Sequence, residues 1–171
     1  ADSIDIHSTW FDDETQLAAL SNETLLLFMR NMHLATLNTR NGRLTPLKTN
    51  SIDNAGNIDP AFVRTDSHGN VWLGTKRSGL YRLELRKKTI RRMPFPSDVH
   101  IQSLTEDRKG QIWIATLKDV VCYQPQTGAV LKNSLASSNH GLESRQFFDN
   151  SVCLTPNGDI VLGSSDGCVF L

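Results

Sequence analysis

The fold of this chain is decided by residues 65–83, which read TDSHGNVWLGTKRSGLYRL. The stretch divides into a polar turn, an apolar strand, a second turn ending at Gly79, and another apolar strand. Short apolar runs separated by glycine turns are typical of antiparallel hairpins. Further copies of this sequence motif lie at residues 106–123 and 154–171, with a more divergent copy at 21–37. The chain is therefore predicted to consist of repeated hairpins.

The copies recur at the interval expected of propeller blades. Aligned on the first turn, Gly69, Gly110 and Gly158 are 41 and 48 residues apart, and Glu23 lies 46 residues before Gly69. Periods of about 40 to 50 residues are typical of β-propellers, whose blades are four-stranded antiparallel sheets. We therefore predict an all-β propeller, or a propeller fragment, of about four four-stranded blades with little helix. The units are assigned to residues 15–57, 58–98, 99–147 and 148–171 of one domain spanning 1–171.

The second strand of each unit is predicted to be covered on both faces. Residues 71–73 and 112–114 are apolar at every position, which indicates strands buried between neighbouring sheets. Trp72 and Trp113 occupy the same place in the repeat, and we predict that they pack in the core. Stacking against a sugar is the functional alternative for such tryptophans.

The two ends of the sequence suggest how the propeller closes. The last unit offers three strands, Ser151–Leu154, Ile160–Gly163 and Cys168–Leu171, and then stops. Ahead of the first unit, Ile4–Trp10 alternates apolar and polar residues. Since closure removes unpaired sheet edges, we expect Ile4–Trp10 to pair beside Cys168–Leu171. Pairing within one chain gives a four-bladed ring, and pairing between chains gives self-association into a larger ring. A third interpretation is a segment of a longer propeller, and the initial Ala agrees with a processed or excised piece.

Composition excludes some classes of protein. Lys plus Arg and Asp plus Glu both number 18, and this balance argues against a nucleic-acid partner. The acidic stretch 1–23 and the basic stretch 86–92 are interpreted either as solvated edges or as complementary surfaces. No apolar run reaches the roughly 18 residues that span a bilayer. The three cysteines lack metal-ligand spacing and are expected to be buried free thiols; they are Cys122, Cys153 and Cys168.

The repeated phrase resembles the two-component regulator propeller repeat. The resemblance covers most of residues 15–171, and the first unit departs from it at Phe28-Met29, where the pattern has Gly-Thr, and at His33, where it has Gly. The third unit has Asp119 in place of the second Gly. The matching residues are Asp66, Gly69, Val71–Thr75 and Gly79–Leu83 in the second unit, and Glu106-Asp107, Gly110, Ile112–Thr116 and Val120 in the third.

The resemblance implies a function. Propellers of this family form extracytoplasmic sensor domains of bacterial hybrid histidine kinases and of some diguanylate cyclases. It implies a periplasmic, non-catalytic ligand-sensing module of a membrane-anchored receptor, with the kinase or cyclase output outside this chain.

No catalytic, metal or cofactor motif is evident in the sequence. The five histidines show no metal-binding spacing, and no nucleophile elbow or phosphate loop is present. We therefore expect no catalytic residue, no metal and no cofactor. Asp66, Gly69 and Trp72 have the spacing of calcium- or sugar-associated propeller motifs, but we favour a turn in which the Asp caps its own loop.

The loops between second and third strands are the predicted ligand-binding face. They come from different blades and are polar, so they can converge on one opening. Their cations favour an unknown small anionic ligand, such as an acidic sugar, although solvated hairpin tips are the alternative. Two acids in these loops also leave open a carbohydrate-active propeller enzyme, and the acidic edge 12–14 leaves open a protein-binding scaffold. The candidate ligand-binding residues are Lys76, Arg77, Lys118, Asp119 and Asp166.

Overall fold

The computed structural model describes residues 15–29, 33–51, 59–96, 98–117, 119–132 and 146–171, which contain strands and no helix. Within these ranges, no helix is therefore long and apolar enough to cross a membrane. The strands are β1 (Gln16–Ser21), β2 (Thr24–Met29), β3 (His33–Asn38), β4 (Leu44–Pro46), β5 (Asn50–Ser51), β6 (Pro60–Thr65), β7 (Val71–Thr75), β8 (Leu80–Glu84), β9 (Thr89–Arg92), β10 (Ile101–Glu106), β11 (Ile112–Thr116), β12 (Val120–Gln124), β13 (Ala129–Lys132), β14 (Phe147–Leu154), β15 (Ile160–Ser164) and β16 (Gly167–Phe170).

The strands form four antiparallel meanders arranged as a four-bladed propeller, which confirms the all-β propeller prediction. Blade 1 has the order β1-β2-β3-β4, blade 2 contains β6 to β9, blade 3 contains β10 to β13, and blade 4 contains β14 to β16. The first strand of each blade is the inner one. The two-residue strand β5 adds to the outer edge of blade 2 by parallel pairing with β9. The predicted closing strand, Ile4–Trp10, lies outside the described residues.

Among the described residues, three gaps between consecutive blades each contain an apolar core. The first gap buries Leu26 and Phe28 of blade 1 against Leu73 of blade 2. The second gap buries Trp72 of blade 2 against Tyr123 of blade 3, whose rings meet edge to face with centroids 6.0 Å apart. The third gap, between blades 3 and 4, contains a further apolar core. The second strands therefore contribute to cores on both faces, as their uninterrupted apolar sequence predicts.

The two repeated tryptophans pack in the core, as predicted. Trp72 is fully buried, whereas Trp113 is partly buried at the edge of the third core. The burial of Trp72 and the packing of Trp113 account for both side chains without a bound sugar.

The aromatic ring at the start of the first strand pair lies on different strands in blades 1 and 2. In blade 2, Phe62 on the inner strand lies opposite Gly74, and a Cβ added to Gly74 would come within 1.9 Å of the Phe62 ring. In blade 1, the corresponding pair is Gln16 and Phe28, so the aromatic ring comes from the second strand instead. The departure of blade 1 from the Gly-Thr pattern therefore moves the aromatic ring to the second strand, where Gln16 lies opposite it.

Two sequence predictions need correction. Cys122 is a buried free thiol, but Cys153 and Cys168 are exposed, because they occupy solvent-facing positions of β14 and β16 in blade 4. The first strand of blade 4 begins at Phe147 rather than Ser151, and its pairing with β15 is interrupted before Val152. Asn150, in this irregular segment, has a positive φ of 55°.

Candidate functional site

The turns between first and second strands are fixed by an aspartate that also holds the tryptophan. Asp66 Oδ1 accepts hydrogen bonds from the backbone N–H groups of His68 (3.0 Å) and Asn70 (2.8 Å), and its Oδ2 accepts from Trp72 Nε1 at 2.9 Å. Asp107 repeats the arrangement with Trp113 Nε1, also at 2.9 Å. Both carboxylate oxygens are thus engaged by the protein itself. The predicted self-capping turn is confirmed, and the motif serves to anchor the tryptophan.

A second set of contacts connects these turns across the gap between blades. Ser67 of blade 2 donates from its backbone N (2.6 Å) and its Oγ (2.9 Å) to the carboxylate of Glu106 in blade 3. Arg108 of blade 3 similarly donates to the backbone carbonyl of Pro156 in blade 4. These hydrogen bonds tie successive blades at one end of the propeller.

The same end brings together three groups that sequence spacing did not reveal. Potential ligand atoms of Asp66, His68 and Glu106 all lie within 4.8 Å of one another. The His68 Nδ1 is 3.5 Å from Glu106 Oε1, and the His68 side chain is 70% exposed. The two carboxylates already accept hydrogen bonds from Ser67, Asn70 and Trp72, so blade-to-blade attachment accounts for this cluster.

The loops between second and third strands lie at the opposite end, together with the connections that enter each inner strand. Lys76 N donates to the Asp59 carbonyl at 3.1 Å, and Ser165 N donates to the Gln146 carbonyl at 2.9 Å. Asp59 and Gln146 immediately precede the inner strands β6 and β14. The candidate loops therefore share one face with the entrances to the inner strands.

A hydroxyl at the end of the second strand shapes these loops in blades 2, 3 and 4. Thr75 Oγ1 donates to the Gly79 carbonyl at 2.7 Å and accepts from Ser78 N at 2.9 Å. Thr116 makes the equivalent bonds to Asp119, and Ser164 Oγ donates to the Gly167 carbonyl at 3.0 Å. The Thr or Ser of the repeat thus has a structural role, because its hydroxyl bonds to the loop backbone in three blades.

The predicted ligand residues take their positions from these loops. Lys76 is half-buried, while Arg77, Asp119 and Asp166 are exposed at their tips. Lys76 and Arg77 are adjacent in blade 2, Asp119 belongs to blade 3, and Asp166 belongs to blade 4. Lys118 lies outside the described residues. The four described residues lie in loops at the same end of three blades, and their role in ligand binding stays a prediction.

A cleft of about 480 Å³ opens between the inner strands. Its walls come from three blades, and they include Arg64, which the sequence analysis did not single out because the preceding residues of β6 are apolar. The lining residues are Gln16, Leu17, Ala18, Ala19, Val63, Arg64, Thr65 and Asn150.

Burial lowers the pKa of the Arg64 guanidinium, an effect that a Cys153 thiolate would oppose. An arginine remains protonated at neutral pH even after such a shift. The cleft therefore holds a positive charge that is partly removed from water.

Comparison with known proteins identifies the repeat. The model of the family described as two component regulator propeller matches residues 94–118, which contain the first two strands of blade 3. The third blade thus carries a two-component regulator propeller repeat, which confirms the resemblance over these residues. No curated protein sequence is detectably similar to the chain.

Solved structures share the fold. An extracellular domain assigned to the hybrid two-component system BT4673 of Bacteroides thetaiotaomicron superposes with a TM-score of 0.70 at 23% identity, covering 97% of this chain and 22% of that chain. The corresponding domain assigned to BT3049 of the same species gives 0.58 at 19% identity, covering 90% and 19%. The computationally designed Ika4 protein gives 0.62 at 12% identity, covering 92% and 89%. The chain spans about a fifth of the two bacterial domains and nearly all of the designed protein.

Proposed function

We propose that this chain is a ligand-sensing module of an extracytoplasmic bacterial receptor, that it acts without catalysis, and that the signalling output resides in another part of the receptor. The observation that carries the proposal is the two-component regulator propeller repeat at 94–118, within a fold shared with extracellular domains of two-component systems. Periplasmic location and membrane anchoring of the full receptor are part of the same proposal.

The proposed ligand surface is the face formed by the loops between second and third strands. Its loops contribute Lys76 and Arg77 from blade 2, Asp119 from blade 3 and Asp166 from blade 4. Cations on a common face recognise carboxylate or sulfate groups, while the acids accept hydrogen bonds from sugar hydroxyls. An anionic carbohydrate is therefore the proposed ligand class.

The test is a binding screen combined with product analysis. Uronic-acid oligosaccharides and neutral oligosaccharides of equal length are compared by thermal shift, calorimetry and chromatography. We expect the acidic sugars to bind without being cleaved, and the double variant Lys76→Gln/Arg77→Gln to bind them about tenfold or more weakly. Arg91→Gln/Arg92→Gln is the matched control, since it removes two exposed cations from the outer strand of the same blade.

Each alternative gives a different outcome of this experiment. Release of shortened sugars would replace the sensor proposal with a carbohydrate-active enzyme, for which Asp119 and Asp166 are the first carboxylates to exchange. Equal binding of the acidic sugars by both double variants would show that the binding site does not lie on the loop face. Absence of binding across the acidic panel would contradict the ligand class, and a protein-binding scaffold would then be the better account.

We also propose that the edge of β16 is the partner of residues 4–10, within one chain or between chains. Strand β16 pairs with β15 through Gly167–Phe170, and Phe170 on it is 69% exposed. An exposed edge strand with apolar side chains favours strand addition. When residues 1–11 are deleted, light scattering after size-exclusion chromatography should show a changed mass, or a thermal melt should show a lower unfolding temperature. Identical mass and stability would contradict this pairing.

A further inference from the structure

The cleft between the inner strands contains a cation without a protein counter-ion. Arg64 lies on β6 and lines the cleft. No hydrogen bond or ion pair joins its guanidinium to any other residue in the described part of the chain. The side chain is nevertheless partly buried, and this burial lowers its pKa. Withdrawing an unpaired charge from water is costly, so such a group is most simply explained by an anion that binds there.

The groups around Arg64 add acceptors rather than a second charge. Asn150 donates through Nδ2 to Gln16 Oε1 at 3.1 Å, while no described residue donates to its Oδ1. Thr65 Oγ1 donates to the Ala19 carbonyl at 3.0 Å and keeps its lone pairs for another donor. A ligand that fits this cleft therefore carries one negative group together with hydroxyl donors.

The apolar part of the lining limits the size and shape of the ligand. Leu17 is 56% exposed and lies on the cleft wall with Ala18, Ala19 and Val63. This surface suits the C–H face of a ring or a short carbon chain. A volume of about 480 Å³ lies within the range of roughly 300–1,000 Å³ found for small-molecule sites. A ligand of one sugar ring fits, whereas a longer oligosaccharide must extend out of the cleft.

We infer that the cleft is a second binding site, separate from the loop face, for a small hydroxy-carboxylate whose carboxylate pairs with Arg64. The planar guanidinium supplies paired N–H donors that match the two carboxylate oxygens. The hydroxyl groups of the ligand donate to Asn150 Oδ1 and Thr65 Oγ1, and its apolar face rests on Leu17. The site requires neither Lys76 nor Arg77, so it goes beyond the proposed loop-face recognition.

The experiment uses D-glucuronate as the probe and D-glucose as the neutral counterpart of the same size. Calorimetry on the full chain should show glucuronate binding to the wild type and no binding of glucose. Arg64→Gln should weaken glucuronate binding about tenfold or more, and Arg64→Lys should give an intermediate loss, because it keeps the charge but not the paired donors. Arg91→Gln, which removes an exposed cation from β9 outside both proposed sites, should leave this affinity unchanged.

Stability provides an independent readout in the absence of the probe. Since Arg64→Gln removes a charge that is partly desolvated and unpaired, its unfolding temperature should equal or exceed that of the wild type. A marked fall would show that Arg64 has a structural partner and would overturn the inference. Absence of glucuronate binding, binding as tight to Arg64→Gln as to the wild type, or an equal loss of binding in Arg91→Gln would also overturn it. The last two outcomes leave loop-face binding of oligosaccharides unaffected, so the two proposals fail separately.

Discussion

Replacing Trp72 with Ala tests the packing between blades. The side chain is fully buried in the second core and contacts the Tyr123 ring edge to face. A buried Trp side chain removes roughly 150–250 Å² from water, which at about 25 cal/mol/Å² corresponds to an upper bound of about 4–6 kcal/mol. Measured Trp-to-Ala changes in cores cost about 3–5 kcal/mol. Asn70 Nδ2 still donates to Asp66 Oδ2 at 2.9 Å, so the substitution adds no unpaired buried carboxylate oxygen.

We therefore expect Trp72→Ala to lower the free energy of unfolding by about 4 kcal/mol, a large part of the roughly 5–15 kcal/mol of a typical domain. Urea unfolding followed by far-UV circular dichroism measures the change, with the urea dependence expected to stay constant. Trp113→Ala is the matched control, and because that side chain is only partly buried its effect should be smaller. A loss below about 1 kcal/mol for Trp72→Ala, or an equal loss for Trp113→Ala, would refute the packing argument.

Two further predictions concern the same packing. Gly74→Ala should destabilise by about 1–3 kcal/mol in the same urea assay, because the added Cβ would lie 1.9 Å from a ring atom of the buried Phe62. In native protein a thiol reagent should modify two cysteines rapidly and the third only on unfolding, because burial raises the pKa of the Cys122 thiol and also shields it. The two reactive residues are Cys153 and Cys168.

These predictions have direct controls. Gly163→Ala places its Cβ 3.0 Å from the nearest Ser151 atom and should cost less than Gly74→Ala. If the two glycine variants were equally stable, the close approach of Phe62 would not determine the need for glycine. For the thiols, rapid modification of all three cysteines in native protein would contradict the burial of Cys122.

Local patterns were sufficient to predict the blades. The apolar runs around Trp72 and Trp113 predicted second strands within a residue or two of the observed β7 and β11, because burial on both faces leaves no polar alternation. Gly69 and Gly110 predicted the tight turns, and both have positive φ, at 75° and 74°. Such features are determined by neighbours in sequence.

Features that depend on how blades meet could not be predicted in this way. Arg64 sits in an apolar strand, and its place in the cleft follows only from the approach of blades 1 and 4 to the inner face of β6. The cluster of Glu106 with Ser67 and His68 joins two turns whose sequence separation is set by the blade period. The exposure of Cys153 and Cys168 depends in turn on which faces of blade 4 receive a neighbour.

The most direct measurement of the central claim is amide chemical-shift mapping by NMR while an acidic oligosaccharide is titrated into the chain. Ligand sensing by the loop face predicts shifts concentrated in residues 75–79, 117–119 and 165–167, with no cleavage of the sugar during the titration. Shifts confined to the opposite turns at 66–70 and 107–111, or no shifts at all, would contradict it.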